Sequence, residues 1–116
     1  MSASSLAPLL HARSIAVVGG SDRAGSVGHV VLSNVRAASA SHRVFAVNPD
    51  TVALDGVTWV PTVAALSEPA ELAIICTPAG AVPELVEQLG ESGTRVVIVI
   101  TAGISRVRKA RTTHRP

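Results

Sequence analysis

The chain has 116 residues, enough for one small domain with a real core, and its 47% hydrophobic and 16% charged residues are the balance of a globular protein. Aromatic residues make up only 2%, with no Tyr, so stacking platforms for single-stranded nucleic acid are nearly excluded and the core falls to Val, Ala, Leu and Ile. The sequence pI near 9.5 misleads: residues 1–104 hold five basic and eight acidic side chains, a formal net charge of −3, and the other five basic residues crowd into the last 12, so nucleic-acid binding is not expected of the domain.

In chain order, "MSASSLAPLLHARS" has no charged stretch ahead of its short apolar run, so no signal peptide is expected. "SIAVVG" (residues 14–19) is a β-branched apolar run closed by glycine and reads as a buried strand. A helix follows over residues 27–38, with Val27, Val30, Val31, Val35 and Ala38 on one face. "RVFAVNP" (43–49) is a second strand stopped by Asn-Pro, because proline cannot donate to a ladder. "GVTWVP" (56–61) is a weaker edge strand, "TVAALSEP" a short helix, and "ELAIICTP" (71–78) a strong strand. "AVPELVEQLGESG" (81–93) reads as a helix with Pro83 in its first turn and glycine past its end. "RVVIVITAG" (95–103) is the last strand; its aliphatic core Val96–Ile100 is far too short to span a bilayer, so no membrane association is expected. The basic segment 105–116 has no apolar periodicity. It reads as a disordered tail beyond a domain of residues 1–104, or as an altered continuation of a longer protein.

Strands with near-continuous apolar runs, alternating with helices, specify an α/β fold: a Rossmann-like parallel sheet of about five strands, order 3-2-1-4-5, with helices on both faces. In such sheets a ligand lies at the carboxyl ends of the strands, where the order reverses. The loops after Val18, Val47, Cys76 and Ile100 are therefore the places to look.

Gly19 closes the first strand, and Gly25 and Gly28 frame the entry to the first helix. Glycine there admits a phosphate close to backbone, and a helix N-terminus offers free N–H groups. Two familiar phosphate loops fail on the residues. Four residues separate Gly20 from Gly25, as in a Walker loop, but Ser26 and Val27 stand where Lys and Ser or Thr belong, so nucleoside-triphosphate hydrolysis has no visible machinery. The dinucleotide fingerprint G-x-G-x-x-G does not fit either, since five residues lie between Gly19 and Gly25. A nicotinamide fold also wants Asp or Glu near the end of the second strand; here Asn48 and Pro49 hold that place and Asp50 follows the proline, so that clamp is missing or displaced.

Together, "RSIAVVGGSDRAGSVGHVVLSNV", "VFAVNP", "ELAIICTPAGAVPELVEQLGESG" and "VVIVITAG" resemble the CoA-binding domain of the NDP-forming acyl-CoA synthetases, relatives of the succinyl-CoA synthetase α-subunit; the same domain opens fused protein lysine acetyltransferases. The resemblance covers residues 6–104 and implies CoA or acyl-CoA as the ligand, held non-covalently. It implies a phosphate loop of Ser21, Asp22, Arg23 and Ala24 between Gly19 and Gly25, with Arg43 pairing a CoA phosphate. It places Asn48 and Pro49 beside the adenine, and Thr77, Pro78, Ile100, Thr101 and Ala102 along the pantetheine. Many relatives carry Lys after Asn-Pro, where this chain has Asp50, whose carboxylate would repel a phosphate. In that family the phosphorylated histidine and the nucleotide site lie in further domains or an ATP-grasp subunit, so this chain is expected to bind and present a CoA ester without catalysis of its own. The alternative is a NAD(P)-binding redox module.

The remaining residues have plainer readings. Cys76 is expected to be core, and as a single cysteine it fits a reducing cytoplasm. His11, His29, His42 and His114 lack metal-ligand spacing, and Glu84, Glu87 and Glu91 form a solvated helix face. Trp59 is expected to be partial core, and Arg23 faces either ligand phosphate or solvent.

Overall fold

A computed structural model describes residues 12–38, 43–50, 56–101 and 104–109. The sequence runs β1 (Ser14–Val18), α1 (Val27–Ala38), β2 (Arg43–Val47), β3 (Val57–Val60), β4 (Leu72–Ile75), α2 (Val82–Ser92), β5 (Val96–Thr101) and β6 (Ile104–Lys109). The sheet order is β3-β2-β1-β4-β5-β6, so the expected parallel order 3-2-1-4-5 is present, with the strand order reversing between β1 and β4.

Both faces of the sheet are buried, which is why the central strands read as unbroken apolar runs. On one face Ile15, Val17, Val44, Ala46, Leu72 and Ile74 pack beneath Leu32, Val31 and Val35 of α1. On the other, Val18, Val47, Ala73, Ile75, Val97 and Val99 meet Leu89, Leu85, Val86 and Val82 of α2. Pro83 opens α2 and Gly93 closes it in the left-handed conformation at φ 108°, as the sequence expected.

Three expectations change. The buried stripe of α1 is Gly28, Val31, Leu32 and Val35, and Val27 and Val30 are each 49% exposed. The helix is rotated from its valine stripe because the backbone at Gly28 presses against the turn after β1. "TVAALSEP" forms only a single 3₁₀ turn, Val63–Ala65, whose Val63 is buried in the core with Ala73 and Ile75 of β4 and Leu89 of α2. Residues 105–109, expected to be disordered, belong to β6, which runs antiparallel to β5 from Thr101↔Ile104 to Val96↔Lys109. The physical reason is the free edge of β5: an unpaired strand edge is a template for backbone pairing that asks little of side-chain pattern. Residues 110–116 of the expected tail lie outside the described ones.

Candidate functional site

Three strands and a helix are tied together by backbone at one end of the sheet. The N–H of Gly19, just past β1, donates to the Val47 carbonyl at the end of β2 (2.8 Å), and the N–H of Cys76, just past β4, donates to the Val18 carbonyl (2.8 Å). Gly19 turns the chain at φ 89°, and a Cβ there would lie 3.0 Å from Thr77 Cγ2, so the turn after β1 packs directly on the turn after β4. Gly28 does the same for the helix: its added Cβ would stand 2.0 Å from the Gly19 carbonyl oxygen, a separation no side chain tolerates.

Between these fixed ends the loop closes on itself. The N–H of Arg23 donates to Ser21 Oγ (3.0 Å), and both the N–H and the hydroxyl of Ser26 donate to the Arg23 carbonyl (3.2 and 2.8 Å). Gly25 takes the left-handed conformation at φ 86° that the reversal needs. Ser26 Oγ then accepts the N–H of His29 (3.1 Å), an N-cap that leaves the N–H groups of Val27 and Gly28 without an intrahelical partner.

Asn48 joins the second strand to this loop. Its side-chain amide donates to the Gly20 carbonyl (2.8 Å), while its Oδ1 accepts the N–H of Asp50 (2.8 Å). One side chain thus fixes both the loop after β1 and the turn after β2.

The result is an open cleft of about 730 Å³ at the carboxyl ends of β1, β2, β4 and β5. Its floor is the loop and helix start, with Gly19, Ser21, Asp22, Arg23 and Gly25 joined by Ser26, Val27 and Gly28. Asn48 and Asp50 form one wall, and Cys76, Thr77, Pro78 and Ile100 the other. Arg23 is its one cationic group among the described residues, against the carboxylates of Asp22 and Asp50. Free N–H groups and a helix N-terminus above a glycine turn suit an anion.

Most of the residues expected from sequence converge here. Ala24 is within the loop and Pro49 in the turn, but neither lines the cleft, Thr101 ends β5, and Ala102 lies outside the described residues. Arg43 departs most. It begins β2, at the opposite end of the sheet from the cleft, and its guanidinium makes a two-pronged contact with Glu68, Nε to Oε2 at 2.6 Å and Nη2 to Oε1 at 2.7 Å. That bonding holds the Glu68 carboxyl below and the Arg43 guanidinium above their ordinary values. Arg43 therefore does not face the cleft.

Sequence reasoning missed three contributors. Ser26 is a helix cap, legible as a serine directly before the helical stretch. Cys76 sits just beyond β4, half-buried: it packs against the core beneath α1, as expected, and also reaches the cleft wall, and desolvation pushes its thiol up to about 11. Asp50, expected only as a charge that repels phosphate after Asn-Pro and not as a site residue, lines the cleft. Of the histidines, His29 is half-buried on α1, while the other three lie outside the described residues. Among the described residues no group of His, Cys, Asp or Glu is placed to hold a metal ion, and no helix is long and apolar enough to cross a membrane.

The fold is that of the Rossmann-like α/β domains, and the cleft lies at the strand-order reversal where such sheets take their ligands. Residues 13–114 match the model of the CoA binding domain, and the chain belongs to that family. It is 37% identical over 95 residues to an ADP-forming acetate–CoA ligase of Archaeoglobus fulgidus, covering 82% of this chain and 14% of the ligase. A 4-hydroxybutyrate–CoA ligase, also ADP-forming, from Nitrosopumilus maritimus is 35% identical over 106 residues, 86% of this chain and 14% of that enzyme. Among solved structures, the dinucleotide-forming acetyl-coenzyme A synthetase 1 of Ca. Korarchaeum cryptofilum, in complex with phosphate and ADP, superposes with a TM-score of 0.75 at 28% identity, over 85% of this chain and 21% of the synthetase. This domain is thus homologous to a segment of ADP-forming acyl-CoA synthetases and spans about one seventh of the ligases it matches.

Proposed function

We propose that this chain binds CoA or an acyl-CoA non-covalently in the cleft, the diphosphate resting on the Gly19–Gly28 loop and the start of α1. The observation that carries the reading is the convergence of the glycine loop, Asn48, Thr77 and Pro78 on one cleft over a capped helix N-terminus in a chain of the CoA-binding family. Asn48 and Pro49 then border the adenine, and Thr77, Pro78, Ile100, Thr101 and Ala102 border the pantetheine. Arg43 has no part in it. Activation of an acid and formation of its thioester belong to partners, either ligase domains in the same polypeptide or an ATP-grasp subunit, and this domain presents the CoA ester to them. The relatives favour a ligase setting over the acetyltransferase one, and a single cysteine suits a cytoplasmic location.

Thermal-shift titrations with CoA, acetyl-CoA, NADH and NADPH test this, because a ligand that binds only the folded state raises the melting temperature. CoA and acetyl-CoA are expected to stabilise the domain. A shift with NADH and none with CoA overturns the proposal in favour of a redox module.

A further inference from the structure

Asp50 lines a cleft that the preceding reading fills with a phosphorylated nucleotide, and it brings a negative charge to the end where the adenosine should lie. Its place is specific. The residue follows β2 at the strand's carboxyl end, and its N–H is pinned to Asn48 Oδ1 at 2.8 Å, so Asn48 fixes the turn that carries it. In doubly wound sheets an acidic side chain about twenty residues beyond the glycine loop accepts hydrogen bonds from the adenosine ribose, whereas recognition of a ribose phosphate needs a cation there. Here the two residues that end the strand, Asn48 and Pro49, push that acid just past the proline, yet the turn returns it to the cleft wall. Arg23, the one cation among the described lining residues, belongs to the loop beneath the diphosphate, and it shares that loop with Asp22. The ribose end therefore has a hydroxyl acceptor and no phosphate partner among the described residues.

We infer that Asp50 makes this cleft selective for an adenosine ribose with free hydroxyls, so that among CoA-type ligands it prefers 3′-dephospho-CoA to CoA. This inference rests on the proposed CoA-type ligand. The chemistry is direct: CoA carries a doubly ionised phosphate on the ribose 3′-oxygen, which a carboxylate repels, while dephospho-CoA offers two hydroxyls that a carboxylate can accept from.

Calorimetric titration of the full chain with CoA, dephospho-CoA and NADH at low and high salt tests it. At low salt dephospho-CoA is expected to bind roughly tenfold more tightly than CoA, the size of a like-charge contact near a protein surface, and the ratio should shrink as salt screens it. Asp50→Asn should bring the two affinities together and Asp50→Lys should reverse their order. Asp50 is exposed and its fixed group is backbone, so both variants should melt as the parent does. Tighter binding of CoA than of dephospho-CoA by the parent chain, or an unchanged ratio in Asp50→Asn, overturns the inference and leaves the CoA reading standing. Binding of NADH with neither pantetheine nucleotide overturns both.

Discussion

Gly28→Ala puts the architecture of the cleft at risk with one methyl group. The added Cβ would stand 2.0 Å from the Gly19 carbonyl oxygen, 3.1 Å from the carbonyl carbon and 3.4 Å from Gly20 Cα. All three are backbone atoms of the turn, so no side chain can swing aside. Side-chain carbons are essentially never found within 3.0 Å of such atoms, so α1 and the turn must part by about 1 Å. Overpacking of this kind costs about 1–3 kcal/mol, and the severity of the overlap argues for the upper part of that range. Opposing it is alanine's better helix propensity, about 1 kcal/mol in a helix interior and less in the first turn. A net loss of about 2 kcal/mol follows, which for a domain of this size lowers the melting temperature by roughly 6–12 °C. CoA affinity should fall too, because separation of α1 from the turn pulls the N–H groups of Val27 and Gly28 away from the Gly19 loop. Gly80→Ala is the control, since its Cβ meets nothing within 4 Å. Thermal melts and CoA titrations of the two variants decide it. A Gly28→Ala chain that melts at or above the parent temperature and binds CoA unchanged would refute the argument that close helix-to-turn packing builds the site.

Four further outcomes, at Asn48, Cys76 and Arg43, test the rest of the reading. Asn48→Ala removes the bonds to Gly20 and Asp50 together and should cost about 1–3 kcal/mol of stability along with CoA affinity; a variant that loses neither would mean that the loop holds its shape unaided. Cys76 should alkylate slowly at neutral pH, with a rate still climbing beyond pH 9 toward about 11 because only the thiolate reacts, and CoA should protect it; a rate that levels off by pH 9 would show an ordinary, unburied thiol. The same raised value makes the folded state lose stability as pH rises above 9, where the unfolded thiol ionises and the folded one does not. Arg43→Ala should leave CoA affinity unchanged in the titration that registers Asn48→Ala, and a clear loss would return Arg43 to the binding site.

The strands were legible because burial on both faces writes itself as apolar runs, and helix α2 because Pro83 and Gly93 mark its ends. The strand order followed from the alternation of strands and helices. Arg43 misled because sequence shows that a basic residue leads into β2 but not that Glu68, 25 positions on, is waiting beside it at the far end of the sheet. The apolar face of α1 misled for a related reason: its valines outnumber its one buried leucine, but a glycine with no side chain to count decides which way the helix turns. Cys76 and Asp50 lie one and three residues beyond their strands, a distance over which a turn can send a side chain to the core, the cleft or the solvent.

The glycine loop shows most clearly what spacing can and cannot convey. Counted along the chain, five residues between Gly19 and Gly25 disqualify it from the dinucleotide fingerprint, whose first glycine makes the turn and whose third lets the helix pack close. In space, those two duties are both met: Gly19 turns at φ 89° against Thr77, and Gly28 lies against Gly19 itself. The surplus residues do not stretch the loop because Ser21, Arg23 and Ser26 fold them into a local knot of hydrogen bonds, while Asn48 holds the Gly20 carbonyl from the next strand. A fingerprint records one chain length that brings a turn and a helix end together. This sequence reaches the same juxtaposition with a longer loop whose own polar side chains take up the difference, so the start of α1 is set over the turn, its first N–H groups free, although the pattern that usually announces this arrangement is absent.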